Sequence, residues 1–214
     1  MNAQKGVTLI NLLIGLLIAM LCIIAVLSLY RIVVHTGADS RKAATHDSQL
    51  QQAFSTTQML IQNAGFGLDS TIPQVTMGNI AITGTNQTNV QALLWREAEY
   101  ANGPASCYGL ADIAVSGARQ LISLKSTDAN CSSANLTTLT WIQDRVLAQL
   151  SDISADSSNP AQVIFNLNST ACTPYGAGNL APSVLHPNIT VSATTSTHQT
   201  INMNICLLNI VASS

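Results

Sequence analysis

From Val7 to Tyr30 the chain carries no charged residue, a run of 24 positions. As an α-helix this run is about 36 Å long at 1.5 Å per residue, more than the roughly 30 Å of a bilayer's hydrocarbon core. Only Thr8, Asn11 and Ser28 place polar side chains in it, and no proline interrupts it. A helix that is apolar on every face needs lipid, or a very large protein, around it. The run therefore reads as a membrane segment. It is longer than the apolar region of a conventional secretory signal, and its far end, Ser28-Leu29-Tyr30-Arg31, has no small-x-small cleavage site.

Charge counting leaves the orientation of this segment open, because Lys5 precedes it while Arg31, Arg41 and Lys42 follow. The cysteines decide it. Cys22 lies inside the run, and Cys107, Cys131, Cys172 and Cys206 all lie beyond it. Four cysteines on one side of a membrane read as two disulfides in an oxidising compartment. Of the three connectivities, Cys107–Cys131 with Cys172–Cys206 closes the shorter loops and is the expected one. The bulk of the chain is then outside the cytoplasm. Its composition agrees: only 8% of the 214 residues are charged, against roughly 25% in typical soluble proteins. Polarity comes from Asn, Thr, Ser and Gln, which suits an exported surface or one packed on other subunits. The net charge of -2 offers no basic surplus for a phosphate backbone, so no nucleic acid is expected as a partner.

The segment Lys5-Gly6-Val7-Thr8-Leu9-Ile10-Asn11-Leu12-Leu13-Ile14 resembles the prepilin cleavage and methylation motif of type IV pilins and type II secretion pseudopilins. The resemblance implies a leader over residues 1–6, cleavage between Gly6 and Val7 by a prepilin peptidase, and N-methylation of Val7. Val7 stands where the family usually has Phe. Asn11 stands at the fifth position of the mature chain, where nearly all members have Glu. Farther on, Gln62-Asn63-Ala64-Gly65-Phe66 is similar to the helix end of PilW-type minor pilins, and Cys107-Tyr108-Gly109 to a Cys-x-Gly feature of that group. The resemblance is strong over the first 25 residues or so, modest to residue 67 and weak past Gly109.

Independently of any family, Leu50, Phe54, Thr57, Ile61 and Ala64 recur at helical spacing, with Gln51, Gln52, Ser55 and Gln62 off that face. Gly65 and Gly67 supply a C-terminal stop. One nearly continuous helix from about Thr8 to Ala64 is expected, with Leu50, Phe54 and Ile61 packing on a sheet. After Gly67 the pattern changes to short β-like runs: 75–83, 90–97, 113–115, 120–125, 136–142, 146–150, 162–168, 188–193 and 200–211. Loops are expected at 100–106, 152–160 and 173–187. The fold class is α+β, a long N-terminal helix packed on an antiparallel β-sheet domain. The regions are a leader (1–6), a transmembrane or filament-core helix (7–30), a periplasmic helical half (31–67) and a β-rich domain with two disulfides (68–214).

Chemistry-bearing motifs are sparse. No nucleophile elbow, zinc-protease helix or phosphate-cradling loop is present, and no metal or cofactor is expected. His35 and His46 read as exposed helix residues. Glu97 and Glu99 read as solvated surface rather than an acid–base pair. Together with the resemblance, these features imply a non-enzymatic minor pilin acting in pilus assembly or initiation, at or near the tip. Its implied partners are other major and minor pilins, the prepilin peptidase, the inner-membrane assembly platform and membrane lipid. It would reside in the bacterial inner membrane as a single-pass protein with a cytoplasmic N-terminus and a periplasmic domain, and then in the pilus. The alternatives are a minor pseudopilin of a type II secretion system, or a pilus-borne adhesin or DNA-uptake subunit.

Overall fold

The computed structural model describes residues 5–68, 74–129, 131, 134–151, 160–170, 172 and 186–210. The architecture is α+β. The chain divides into two compact units, Met1–Ala44 and Thr45–Ser214. The first unit consists, as far as it is described, of helix α1, which runs Lys5–Gln62 and continues into the second. Proline is absent throughout, so no backbone donor is missing from its ladder. The helix stops where glycine allows the chain to turn. Gly65 (φ 78°) and Gly67 (φ 70°) are left-handed, and Gly65 N–H donates to Arg96 O at 2.7 Å. A Cβ at Gly65 would lie 2.4 Å from Ile210 Cγ1, so only glycine fits there. Asn209 Nδ2 donates to the helix-end carbonyls of Gln62 (3.0 Å) and Ala64 (3.3 Å).

The second unit holds two sheets. Strands β1 (Val75–Ile80), β2 (Ile82–Thr83), β3 (Val90–Ala98), β4 (Ala105–Val115), β5 (Ala118–Ser126) and β6 (Trp141–Leu150) form one, in the order β1-β3-β4-β5-β6-β2. Its pairings are antiparallel except β2, which joins β6 in parallel. Strands β7 (Val163–Thr170), β8 (His186–Thr194) and β9 (Thr200–Cys206) form a second, antiparallel sheet.

Both faces of the six-stranded sheet are buried. One face, with Leu93, Trp95, Leu110 and Leu121, packs in a single core with the inner residues of the three-stranded sheet (Phe165, Ile189, Val191, Ile205) and with α1. The other, with Leu94, Ala111, Ile113, Ile122 and Leu124, is covered by the excursion between β5 and β6, which contributes Cys131, Leu136 and Leu139. That cover is fastened by the Cys107–Cys131 disulfide, by Trp141 Nε1 donating to Leu136 O (2.9 Å) and by the buried Arg96, whose Nε donates to Cys131 O (2.6 Å).

The structure departs from the sequence expectations in several places. Two sheets form, not one. The run 113–115 is the tail of an eleven-residue strand that starts inside the expected 100–106 loop. Strand β4 is central and buried on both sides, so its Gly109 and alanines do not alternate with polar residues. A Cβ on Gly109 would come 2.9 Å from Leu93 O, which explains the glycine. The runs 136–142 and 146–150 become a 3-10 turn, Leu136–Thr138, followed by one strand. The run 200–211 is strand only to Cys206, and 75–83 is broken at Ala81, after which the chain turns to reach β6. The expected loop residues 152–159 and 173–185 lie outside the described residues.

The buried stripe is His46, Leu50, Ala53, Thr57 and Ile61 on α1, continued by Ala64 in the turn after it, at steps of 4, 3, 4, 4 and 3. Leu50 and Ile61 are at its centre, and Phe54 flanks it half-buried. This geometry sets a contrast. Ile61→Ala should cost about 2–5 kcal/mol, whereas Met59→Ala, at a side chain 67% exposed two residues away, should change stability by roughly 0.5 kcal/mol or less. Chemical denaturation of the whole chain in micelles checks both. Equal effects would mean that the helix does not pack through this stripe.

Candidate assembly surface and polar seams

Every described side chain from Leu9 to Lys42 is exposed. Between Leu9 and Val34 this includes 19 large apolar side chains, each roughly half exposed or more, distributed around the whole helix. Typical soluble monomers keep contiguous apolar patches to a few hundred Å². A surface of this kind requires lipid or other helices. The helix is long and apolar enough to cross a membrane, and a single such helix is compatible with a membrane anchor. Asn11 is exposed within this surface, a neutral amide among leucines and isoleucines. Gly6 and Val7 have helical backbones, α1 being formed from Lys5 onward; their side chains, and residues 1–4, lie outside the described residues. Cys22 is a free, exposed thiol.

The remaining cysteines are brought together in pairs. Cys107 in β4 is bonded to Cys131, with Cα atoms 5.7 Å apart, and Cys172 to Cys206 at the end of β9, at 5.8 Å. Each closes a loop, of 24 and 34 residues respectively, and in the chain-entropy account each adds on the order of 3 kcal/mol. The first tethers the cover over one face of the six-stranded sheet. The second ties Cys172, just beyond β7, to the end of β9.

Three polar seams escape a sequence reading. His46 is not an exposed helix residue. It is 2% exposed, on the buried stripe, with Nε2 hydrogen-bonded to Thr194 O at 3.2 Å. Its neighbour Asp47 accepts from Ser196 N–H (2.8 Å) and Ser196 Oγ–H (2.6 Å), so two consecutive helix residues grip the β8–β9 turn. His35 is exposed. Second, Glu97 is half-buried rather than fully solvated. It accepts from Trp95 Nε1 at 3.1 Å, and desolvation raises its pKa despite that bond; Glu99 is exposed.

The third seam joins the two sheets. Asp112, whose side chain is 2% exposed, accepts from Arg119 Nε (2.8 Å) through Oδ1, and from Gln162 N–H (2.6 Å) and Val163 N–H (2.8 Å) through Oδ2. Its carboxylate thus caps the start of β7, where a neighbouring strand's carbonyls would otherwise be needed. A cleft of about 220 Å³ opens beside it. Nothing near Asp112 in the sequence signals this, because its partners are 7, 50 and 51 residues away. Among the described residues no group of His, Cys, Asp and Glu is arranged to hold a metal ion.

With the geometry described, the chain was compared with protein-family models, curated proteins and solved structures, and none of the three comparisons gives a match.

The two aspartates titrate in opposite directions. The Ser196 bonds hold the Asp47 carboxyl below the ordinary aspartate range. Its contribution to stability is present above the unfolded pKa and is lost as pH falls through the lower, folded value. Burial pushes Asp112 upward, and the bonds from Val163, Arg119 and Gln162 offset this only in part. Relative to the unfolded chain, the fold favours its protonated form. That contribution is present at low pH and is lost as pH rises through the raised folded value. In an NMR titration of the micelle-bound chain, the Ser196 amide should therefore respond at lower pH than the amides of Gln162 and Val163. Asp112→Asn should abolish only the second response. A common midpoint, or a lower one at Gln162 and Val163, would contradict the assignment.

Proposed function

We propose that this chain is a minor pilin: a non-enzymatic subunit anchored in the inner membrane by the first half of α1 until it enters a type IV pilus. The observation that carries this reading is the exposed apolar helix from Leu9 to Val34, continuous with the stripe that holds a disulfide-bonded domain. The prepilin-like sequence at residues 5–14 adds a specific route, cleavage after Gly6 and methylation of Val7. In this role the apolar half of α1 exchanges its lipid shell for the helices of neighbouring subunits. The exchange costs little hydrophobic free energy, because lipid tails and leucine side chains are similarly apolar. The two disulfides support a periplasmic domain in this reading, because such bonds persist in an oxidising compartment.

Asn11 favours a place at or near the tip. The glutamate usual at this position would pair with the N-terminal ammonium of an adjacent subunit, and an unpaired charge in an apolar core costs several kcal/mol. Asn11 accepts a hydrogen bond but brings no charge. A subunit with nothing ahead of it has no such ammonium to neutralise.

The test is the mass of the mature chain in a strain with active prepilin peptidase. It should begin at N-methylated Val7, and Gly6→Val should block processing, because a β-branched residue obstructs close approach of the backbone. An intact Met1 in the presence of the active peptidase would overturn the assignment. Gold label confined to pilus ends is the expected pattern for the tip position, and even label along the shaft would remove it.

A further inference from the structure

The cleft beside Asp112 has the composition of a binding site that the assembly role does not use. It sits at one end of the six-stranded sheet, on the face that β7 crosses. Strand alternation puts Asp112, Ala114 and Arg119 on this face, with Gln91 on the neighbouring strand. The floor is the Asp112–Arg119 ion pair, 2.8 Å between Nε and Oδ1, with side chains only 2% and 12% exposed. The rim is made of amides: Gln87, whose Nε2 donates to Ala114 O at 2.8 Å, and the exposed Asn89 and Gln91. The side chains of Asn89 and Gln91 make no hydrogen bond to another described residue. Across the cleft stands Ile164, 46% exposed.

This lining selects a ligand class by elimination. Among the described residues that line it, the only two charged groups cancel, so this lining attracts neither an anion nor a cation. A purely apolar ligand would strip water from three amides and an ion pair without replacing those bonds. A neutral, hydroxyl-rich ring satisfies both sides: its hydroxyl edge meets the amides and the fixed carboxylate–guanidinium pair, and its C–H face meets Ile164. At about 220 Å³ the cleft is smaller than the roughly 300 Å³ at which drug-sized pockets begin, so it admits one ring and not a longer oligomer. We propose that this cleft binds a single neutral pyranose ring, presented either as a free sugar or as the end of a glycan. The inference stands on the cleft alone and survives if the filament reading fails.

The experiment is ligand-observed saturation-transfer NMR on the full chain in lipid nanodiscs, free of sugar-headed detergents. The probes are the methyl glycosides of glucose, galactose and N-acetylglucosamine, with glucuronate as the charged control. At least one neutral glycoside should saturate with a dissociation constant on the order of 1 mM, as expected for so few atoms in an open cleft. Glucuronate should bind at least about tenfold more weakly, since its charge finds no counter-charge. The double variant Asn89→Ala with Gln91→Ala, both at exposed positions, should weaken binding about tenfold or more with an unchanged melting curve. No saturation by any neutral glycoside at about ten times that concentration would overturn the proposal. So would equal binding of glucuronate, or undiminished binding by the double variant. Competition by a glycan ending in the same ring assigns the site to a glycan terminus, and its absence assigns it to the free sugar.

Discussion

The buried stripe of α1 is the contact on which the rest of the domain depends. The three-stranded sheet meets the six-stranded sheet in one core, and Leu50, Ala53 and Ile61 of the helix, with Ala64 just after it, belong to it. Without the helix, the inner residues of both sheets would lose part of their cover. The stripe is not uniformly apolar. Among the described residues, His46 Nδ1 and Thr57 Oγ1 are buried without a hydrogen-bond partner, an arrangement that costs about 1–3 kcal/mol per group. Directional bonds at its two ends define its register: Asp47 and His46 hold the β8–β9 turn, and Asn209 holds the last carbonyls of the helix. A domain with so few charges keeps most of its polar specificity in such seams.

The same helix carries two incompatible surfaces in sequence. Residues 46–64 present one buried stripe, whereas the 19 large apolar side chains between 9 and 34 point in every direction. A stripe is complete once a sheet covers it, but a helix apolar all round is complete only in lipid or among other helices. This asymmetry supports an anchor that becomes part of an assembly. The two disulfides are compatible with an oxidising compartment, and each joins positions distant in sequence.

The long helix and its glycine stop were legible because periodicity is local, and Leu50, Thr57 and Ile61 already mark the face. Ala53 and His46, equally buried, were not legible. A small residue and a polar one add nothing to a hydrophobic pattern. Phe54, large and apolar, belongs to the pattern by sequence, and the geometry sets it half-buried on the flank of the stripe, packed against the same core. Strand β7 announced itself through Val163, Phe165 and Leu167, which alternate with Ile164, Asn166 and Asn168. Central strand β4 did not, because burial on both faces removes the alternation that marks an amphipathic strand. The division into two sheets, and the roles of Arg96, Asp112 and Arg119, depend on contacts between distant segments, for which one sequence offers no signal. The proposed cleavage point between Gly6 and Val7 is the converse case: it is read from the sequence alone, and the fold does not bear on it.

The central claim is that the apolar half of α1 ends up buried among the helices of other subunits. The direct measurement is photo-crosslinking from a diazirine side chain placed at Leu17, in pili sheared and purified from cells. The account predicts protein adducts to neighbouring helix-bearing subunits in the sheared fraction, and lipid adducts in the membrane fraction. A chain found only in membranes, with adducts to lipid alone in cells that assemble pili normally, would contradict it.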